Sequence, residues 1–230
     1  MDFGKAFTYV FDDKDWLKKI GIAGVIALIS LVLSVIIVGI AGFILLGGWL
    51  IELTRRVIEH DPEPLPDWND FGGYFMKGLQ SFVIVFAYLL PIILVLGCGM
   101  LLPLMMQNSD SGSLANAIWI VTSCTYCLST VYGLFLAVVL PAALGLFAAT
   151  GQMGSAFRFG DVFGLVRAAP GAYVMVLLGG ILANIISQLG IIACGIGVAF
   201  TMAYAMAIMG HLYGQAYYVA TAARGLKPGY

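Results

Sequence analysis

The stretch Gly47–Pro91, GGWLIELTRRVIEHDPEPLPDWNDFGGYFMKGLQSFVIVFAYLLP, decides how the chain is laid out. It is the one heavily charged internal segment, and charged side chains are costly in hydrocarbon. It therefore reads as a water-side connection that sets the direction of the apolar runs on either side. Within it, Trp49 to Glu59 reads as the end of a helix leaving a membrane. Glu52 and Arg56, and Arg55 and Glu59, are four apart with the acid leading in the first pair, a spacing that brings each pair together on one helix face. Asp61-Pro62 stops that helix, because the residue before proline is pushed out of the helical region. Pro62, Pro64 and Pro66 alternate with Glu63 and Leu65, which favours a stiff, extended connector. Asp67 is the expected N-cap of a following short helix that carries Trp68, Phe71, Tyr74 and Phe75 as one aromatic face lying in the membrane interface.

The composition around this stretch excludes a soluble globule. Of 230 residues, 61% are hydrophobic and only 10% charged, whereas soluble domains carry about a quarter charged residues. The expected fold class is all-α: a polytopic membrane helix bundle, a single integral membrane domain of about six transmembrane helices arranged as three hairpins. A short interfacial amphipathic helix precedes each hairpin. A net charge of −1 gives no reason to expect a nucleic-acid partner. The first apolar run follows the mixed-charge lead DDKDWLKK and is far longer than a signal sequence core, so no cleavable signal is expected.

The first hairpin follows from length. Ile20 to Ile51 holds no charge, and at 1.5 Å per residue it spans about 48 Å, too much for one ~30 Å crossing. We expect one helix from Leu17 to Val38, a turn at Gly39–Gly42, and a second helix to Glu59. Residues 1–60 then form an interfacial helix plus hairpin 1. Residues 61–150 form the connector and hairpin 2. Its third crossing, Phe75–Met106, is expected to kink at Pro91. The loop Gln107–Ala115 carries Asp110. The fourth crossing, from Asn116 to Thr150, is overlong, so its last part should leave the membrane or lie along it. Residues 151–230 form an interfacial segment and hairpin 3, with crossings at Gly171–Gly190 and Val198–Ala222 and a turn at Gly190–Gly197.

Charge placement selects this layout. Six crossings put all of Lys5, Lys14, Lys18, Lys19, Arg55, Arg56, Lys77, Arg158, Arg167, Arg224 and Lys227 on one side, against Asp110 alone on the other. Basic residues mark the cytoplasmic side, so both termini are expected there, in a prokaryotic inner membrane. An internal similarity agrees: Gly4-Lys-Ala-Phe7 before hairpin 1 resembles Gly154-Ser-Ala-Phe157 before hairpin 3, with Phe71-Gly-Gly-Tyr-Phe75 and Lys77 as a weaker third copy.

Several segments together resemble a known family. These are Gly47-Gly-Trp-Leu-Ile-Glu-Leu-Thr-Arg-Arg56, Glu63-Pro-Leu-Pro-Asp-Trp68, Lys77-Gly-Leu79, Pro141-Ala-Ala143, Gly154-Ser-Ala-Phe-Arg158 and His211-Leu-Tyr-Gly-Gln215. The chain resembles the uncharacterised prokaryotic membrane family known as domain of unknown function 4013. The resemblance implies a multi-helix membrane protein and carries no activity and no catalytic residues.

No catalytic constellation is visible: the chain has no HExxH, no phosphate loop and no paired intramembrane carboxylates. No cofactor and no metal site are expected. Cys124-Thr-Tyr-Cys127 has CxxC spacing but sits in an apolar run with no second pair; with Cys98 and Cys194 it reads as helix packing. Asn184 and Gln188, and His211 and Gln215, are each one turn apart on the fifth and sixth crossings. They read as interhelical hydrogen bonding, or as contacts to a solute or partner. His211 is a weak candidate for a cofactor ligand. Trp68, Arg55 and Arg56 mark the connector as a docking surface or a plain solvated linker. His60 beside Glu59 and Asp61 reads as a solvated helix end.

Three functional readings follow. The first is a non-enzymatic membrane protein of structural or accessory role, packing with the lipid bilayer, other membrane proteins or copies of itself. The second is a small permease or exporter for an apolar or amphiphilic solute, which requires one cavity joining Asn184 and His211. The third is a cofactor-binding membrane subunit.

Overall fold

The computed structural model describes residues 1–34, 37–106, 112–193 and 196–226, and all regular structure among them is helical. Eight α-helices follow one another: α1 Lys5–Thr8, α2 Trp16–Val32, α3 Ile37–Ile58, α4 Phe71–Met106, α5 Gly112–Thr150, α6 Phe159–Ala168, α7 Pro170–Leu189 and α8 Ile196–Ala223. Short 3₁₀ turns at Tyr9–Asp12, Met153–Phe157 and Gly190–Ala193 join them. Among the described residues four helices, α4, α5, α7 and α8, are long and apolar enough to cross a membrane. Four such helices are compatible with a multi-pass membrane protein.

α3 and α8 form the centre of the bundle. α2 packs on both, α4 packs on α3, and α7 packs on α8. The α3–α4 crossing is a backbone contact. A Cβ built on Gly48 would lie 1.7 Å from the Tyr74 carbonyl oxygen, and one on Gly78 would lie 1.8 Å from that of Ile44. Only glycine fits on both sides, and small residues at such crossings are how membrane helices pack closely. α3 and α8 are tied by the Thr54 hydroxyl, which donates to the Gly210 carbonyl at 3.2 Å.

The helix limits of α7 and α8 agree with expectation within a few residues, whereas three local expectations do not hold. Gly39 and Gly42 lie inside α3 rather than in the α2–α3 turn. A Cβ on Gly42 would meet Ser30 Oγ at 1.9 Å, so this glycine serves the close approach of the two helices. Asp67 does not cap a helix. Asp70 does so, its Oδ1 accepting from the Gly73 amide at 2.8 Å, and the helix that starts there is α4 itself, 36 residues long, without a separate interfacial helix. On α5, Pro141 to Ala148 are all buried in the bundle. Cys98, Cys124 and Cys127 are exposed free thiols rather than packing residues inside the chain. Cys194, Asp110 and most of the expected Gln107–Ala115 loop lie outside the described residues, as does part of the Gly190–Gly197 turn.

Candidate functional site

The charged connector folds onto the end of the bundle. Lys19 opens the charge-free run and is only 3% exposed. Its ammonium reaches Asp13 at 2.8 Å, Asp67 at 3.5 Å and the Leu65 carbonyl at 3.1 Å. Asp13 is itself buried, at 8% exposure. One buried cation thus joins the N-terminal lead to the connector, and the buried pair avoids the desolvation cost of a lone charge. The indole of Trp68 donates to the Lys19 carbonyl at 2.9 Å, and that of Trp49 donates to the Pro66 carbonyl at 3.1 Å. The two rings are stacked, with centroids 5.7 Å apart. Trp68, expected on an interfacial helix, is instead a buried anchor of the connector. The linker reading of Leu65–Trp68 is therefore replaced by that of a packed cap.

Glu52, at 4% exposure, is the centre of a second buried ionic cluster. The Arg55 guanidinium grips it through Nη2 to Oε1 at 2.6 Å and Nε to Oε2 at 3.1 Å. Arg56 Nε reaches Oε1 at 3.4 Å, and Lys77 from α4 reaches Oε2 at 2.5 Å. Arg55 also pairs with Glu59 at 2.9 Å, and Arg56 donates to the Glu63 carbonyl at 3.3 Å. The helix-face pairs expected from the four-residue spacing are both present. Arg55 and Arg56 are therefore clamps between α3, α4 and the connector. Nothing local foretells a buried carboxylate here, because its burial needs Lys77 to arrive from another helix.

Between lead, connector and bundle lies a polar hollow of about 390 Å³. The lead supplies Lys5, Tyr9, Asp12 and Asp13. The connector supplies His60, Asp61, Pro62, Glu63 and Pro64. Helices α3 and α8 supply Val57, His211 and Gln215. Tyr9 stacks on His211 with ring centroids 4.2 Å apart and donates its hydroxyl to the Ala207 carbonyl at 2.9 Å. Burial pushes the Tyr9 phenol well above its ordinary pKa, which keeps it a donor. His211 is 6% exposed. Its Nδ1 and the Oε1 of Gln215 are buried and have no hydrogen-bond partner. Buried polar atoms are nearly always paired, so two orphans in one hollow stand out.

His60 shapes the rim by an unusual backbone. α3 ends in a Schellman motif: the Asp61 amide donates to Arg56 O at 3.0 Å and the His60 amide to Val57 O at 3.2 Å. His60 occupies the left-handed position, with φ 59°. α8 ends in the same pattern with Gly225, φ 65°, at the equivalent place. Glycine is the ordinary choice there. The His60 ring packs edge-on against Tyr218, centroids 4.3 Å apart, and the residue stays exposed at the helix end, as expected from its charged neighbours.

The other polar pair expected from sequence is elsewhere. Asn184 and Gln188 lie on the exposed side of α7. Asn184 borders an apolar groove of about 560 Å³ between α4, α5, α7 and α8, which does not include His211. His211 and Gln215 are brought together, and Asn184 and Gln188 do not join them. Sequence reasoning missed Tyr9, Asp13 and Lys19, whose only signal was a mixed-charge lead, Asp12 to Lys19, just before a charge-free run.

No curated protein and no solved structure matches the chain. A family of proteins of unknown function, DUF4013, matches residues 30–196. The match takes in the α3 end, the Leu-Pro-Asp-Trp connector and the Gly154–Arg158 segment, and leaves His211 and Gln215 beyond its limit. Covering well over half of the chain, it establishes that this protein belongs to the DUF4013 family.

Proposed function

We propose that the protein is a non-enzymatic accessory component of a prokaryotic cell membrane, crossing six times as three hairpins with both termini on the cytoplasmic side. α2 and α3 form the first hairpin, α4 and α5 the second, α7 and α8 the third. The cap of lead and connector lies on the cytoplasmic face. Its role is to pack laterally against another membrane protein or a second copy of itself.

The supporting observation is the outer half of the α4–α5 hairpin. On α5, Trp119, Ile120, Tyr126, Leu128, Val131 and Leu134 are 72%, 65%, 59%, 56%, 61% and 57% exposed, and on α4 Leu94 and Leu101 are both 60% exposed. These positions point in several directions around the helix, so the hairpin stands beside the bundle with little of its own chain around it. Lipid covers such a surface adequately, yet large aromatic and branched side chains on two adjoining helices also form the kind of face that a partner helix fills. The two buried ionic centres support the same reading: Lys19 and Glu52 are fully engaged in fixing the cap. The permease reading lacks the single cavity it requires, because Asn184 and His211 border separate hollows.

Photo-crosslinking in native membranes tests this reading. With Leu128 replaced by benzoylphenylalanine, irradiation should give one discrete protein adduct of defined mass. Absence of any protein adduct at positions 120, 128 and 131 would contradict lateral packing.

A further inference from the structure

We propose that the hollow beneath the connector binds a protonated primary amine. The inference rests on the hollow alone and does not depend on the accessory reading.

Two independent features point to this chemistry. The first is charge. Asp12, Asp13, Asp61 and Glu63 line the space against Lys5 as its one lysine or arginine. Asp13 is neutralised by Lys19, which leaves three carboxylates facing one ammonium. The field favours a cation. The second is the floor. His211 is nine-tenths buried and Gln215 Oε1 is an orphaned acceptor beside it. An amide oxygen only accepts hydrogen bonds, and a neutral imidazole offers one acceptor nitrogen. Acceptors on the floor and carboxylates on the rim suit a group that carries positive charge and N–H donors together.

A metal ion fits less well. Among the described residues no three His, Cys, Asp or Glu side chains are grouped closely enough to hold one. The His211 imidazole is stacked on Tyr9 at 4.2 Å, which fixes the ring in the floor. A quaternary ammonium has the charge without the donors, so it discriminates between a general cation sink and a donor-specific site. The amine is either free in solution or the head of an ethanolamine lipid.

The test is calorimetric titration of the purified full chain in dodecyl maltoside at constant ionic strength. Ethylammonium chloride is the probe and tetramethylammonium chloride the control. Ethylammonium should bind saturably and tetramethylammonium at least about tenfold more weakly, since charge-assisted hydrogen bonds contribute on that scale. Asp61→Asn, Glu63→Gln and Gln215→Leu should each weaken ethylammonium by about tenfold. Asp61 and Glu63 stand at the water-exposed rim, so their variants keep the fold, which an unchanged melting temperature verifies. A repeat in nanodiscs separates the two sources. Weaker ethylammonium binding in phosphatidylethanolamine than in phosphatidylcholine discs assigns the lipid head as competitor, and equal binding assigns a free amine. Heats no larger than dilution, equal affinity for the two cations, or three variants that bind as well as the parent would each overturn the proposal, leaving a hollow that holds water only.

Discussion

The rings of Trp49 on α3 and Trp68 in the connector are stacked with their planes 5° from parallel, and each donates its indole N–H to a backbone carbonyl: Trp49 to Pro66 in the connector, Trp68 to Lys19 in α2. Stacking and hydrogen bonding together make the connector part of the folded core. Trp68→Phe keeps an aromatic ring and loses one buried hydrogen bond, at a cost of about 1 kcal/mol. Trp68→Ala also empties the site, at about 3–5 kcal/mol. Thermal unfolding in detergent should rank parent, Trp68→Phe and Trp68→Ala in falling order; equal midpoints for the alanine variant and the parent would mean the connector is not docked.

Lys19 and Asp13 make a second, electrostatic latch. Lys19→Met removes the cation and leaves a carboxylate that is 5% exposed without its partner, a change that costs about 3–5 kcal/mol when buried pairs are broken. Replacing both, as Lys19→Met with Asp13→Asn, removes the stranded charge and should recover part of the loss. The measurement is the unfolding midpoint of the two variants. A double variant less stable than Lys19→Met would show that the pair does not act as a unit.

The α3–α4 crossing admits no side chain at Gly48 or Gly78. Gly78→Leu forces the helices apart, because its Cβ alone would fall on the Ile44 carbonyl. The expected outcome is loss of folded protein on size-exclusion chromatography in mild detergent. Gly72→Ala is the control, since a Cβ there meets nothing within 4 Å, and it should elute as the parent does.

His60 holds a left-handed backbone that costs a residue with a Cβ about 1–2 kcal/mol. His60→Gly should therefore keep the end of α3 intact, while His60→Val, branched at Cβ, should lower the unfolding midpoint clearly below that of His60→Gly. Equal midpoints for the two would contradict the assigned backbone.

The helices were legible because an apolar run has few alternatives in lipid; the limits of α7 and α8 follow from Pro170 and from the small, uncharged run before Arg224. The pairing of Arg55 with Glu59 was legible because helix spacing is local. What could not be read depends on residues far apart in the chain. Glu52 is buried only because Lys77 arrives on α4, and the hollow exists only where residues 5–13, 57–64 and 211–215 converge. Trp68 was misplaced for a local reason: Asp67 and Asp70 both suit a helix cap, and the deeper burial of Trp68 against Trp49 favours starting the helix at Phe71. Gly39 and Gly42 suit a turn and a close helix approach equally well in sequence, and only the neighbouring Ser30 distinguishes them.

The central claim is that paired crossings return lead and connector to one aqueous face. Its most direct measurement is labelling with a membrane-impermeant maleimide in right-side-out and inverted vesicles, using Lys18→Cys, Glu63→Cys and Asp110→Cys, each in a chain stripped of Cys98, Cys124, Cys127 and Cys194. The account predicts that positions 18 and 63 react only in inverted vesicles and position 110 only in right-side-out ones. Reaction of positions 18 and 63 from opposite sides would contradict it.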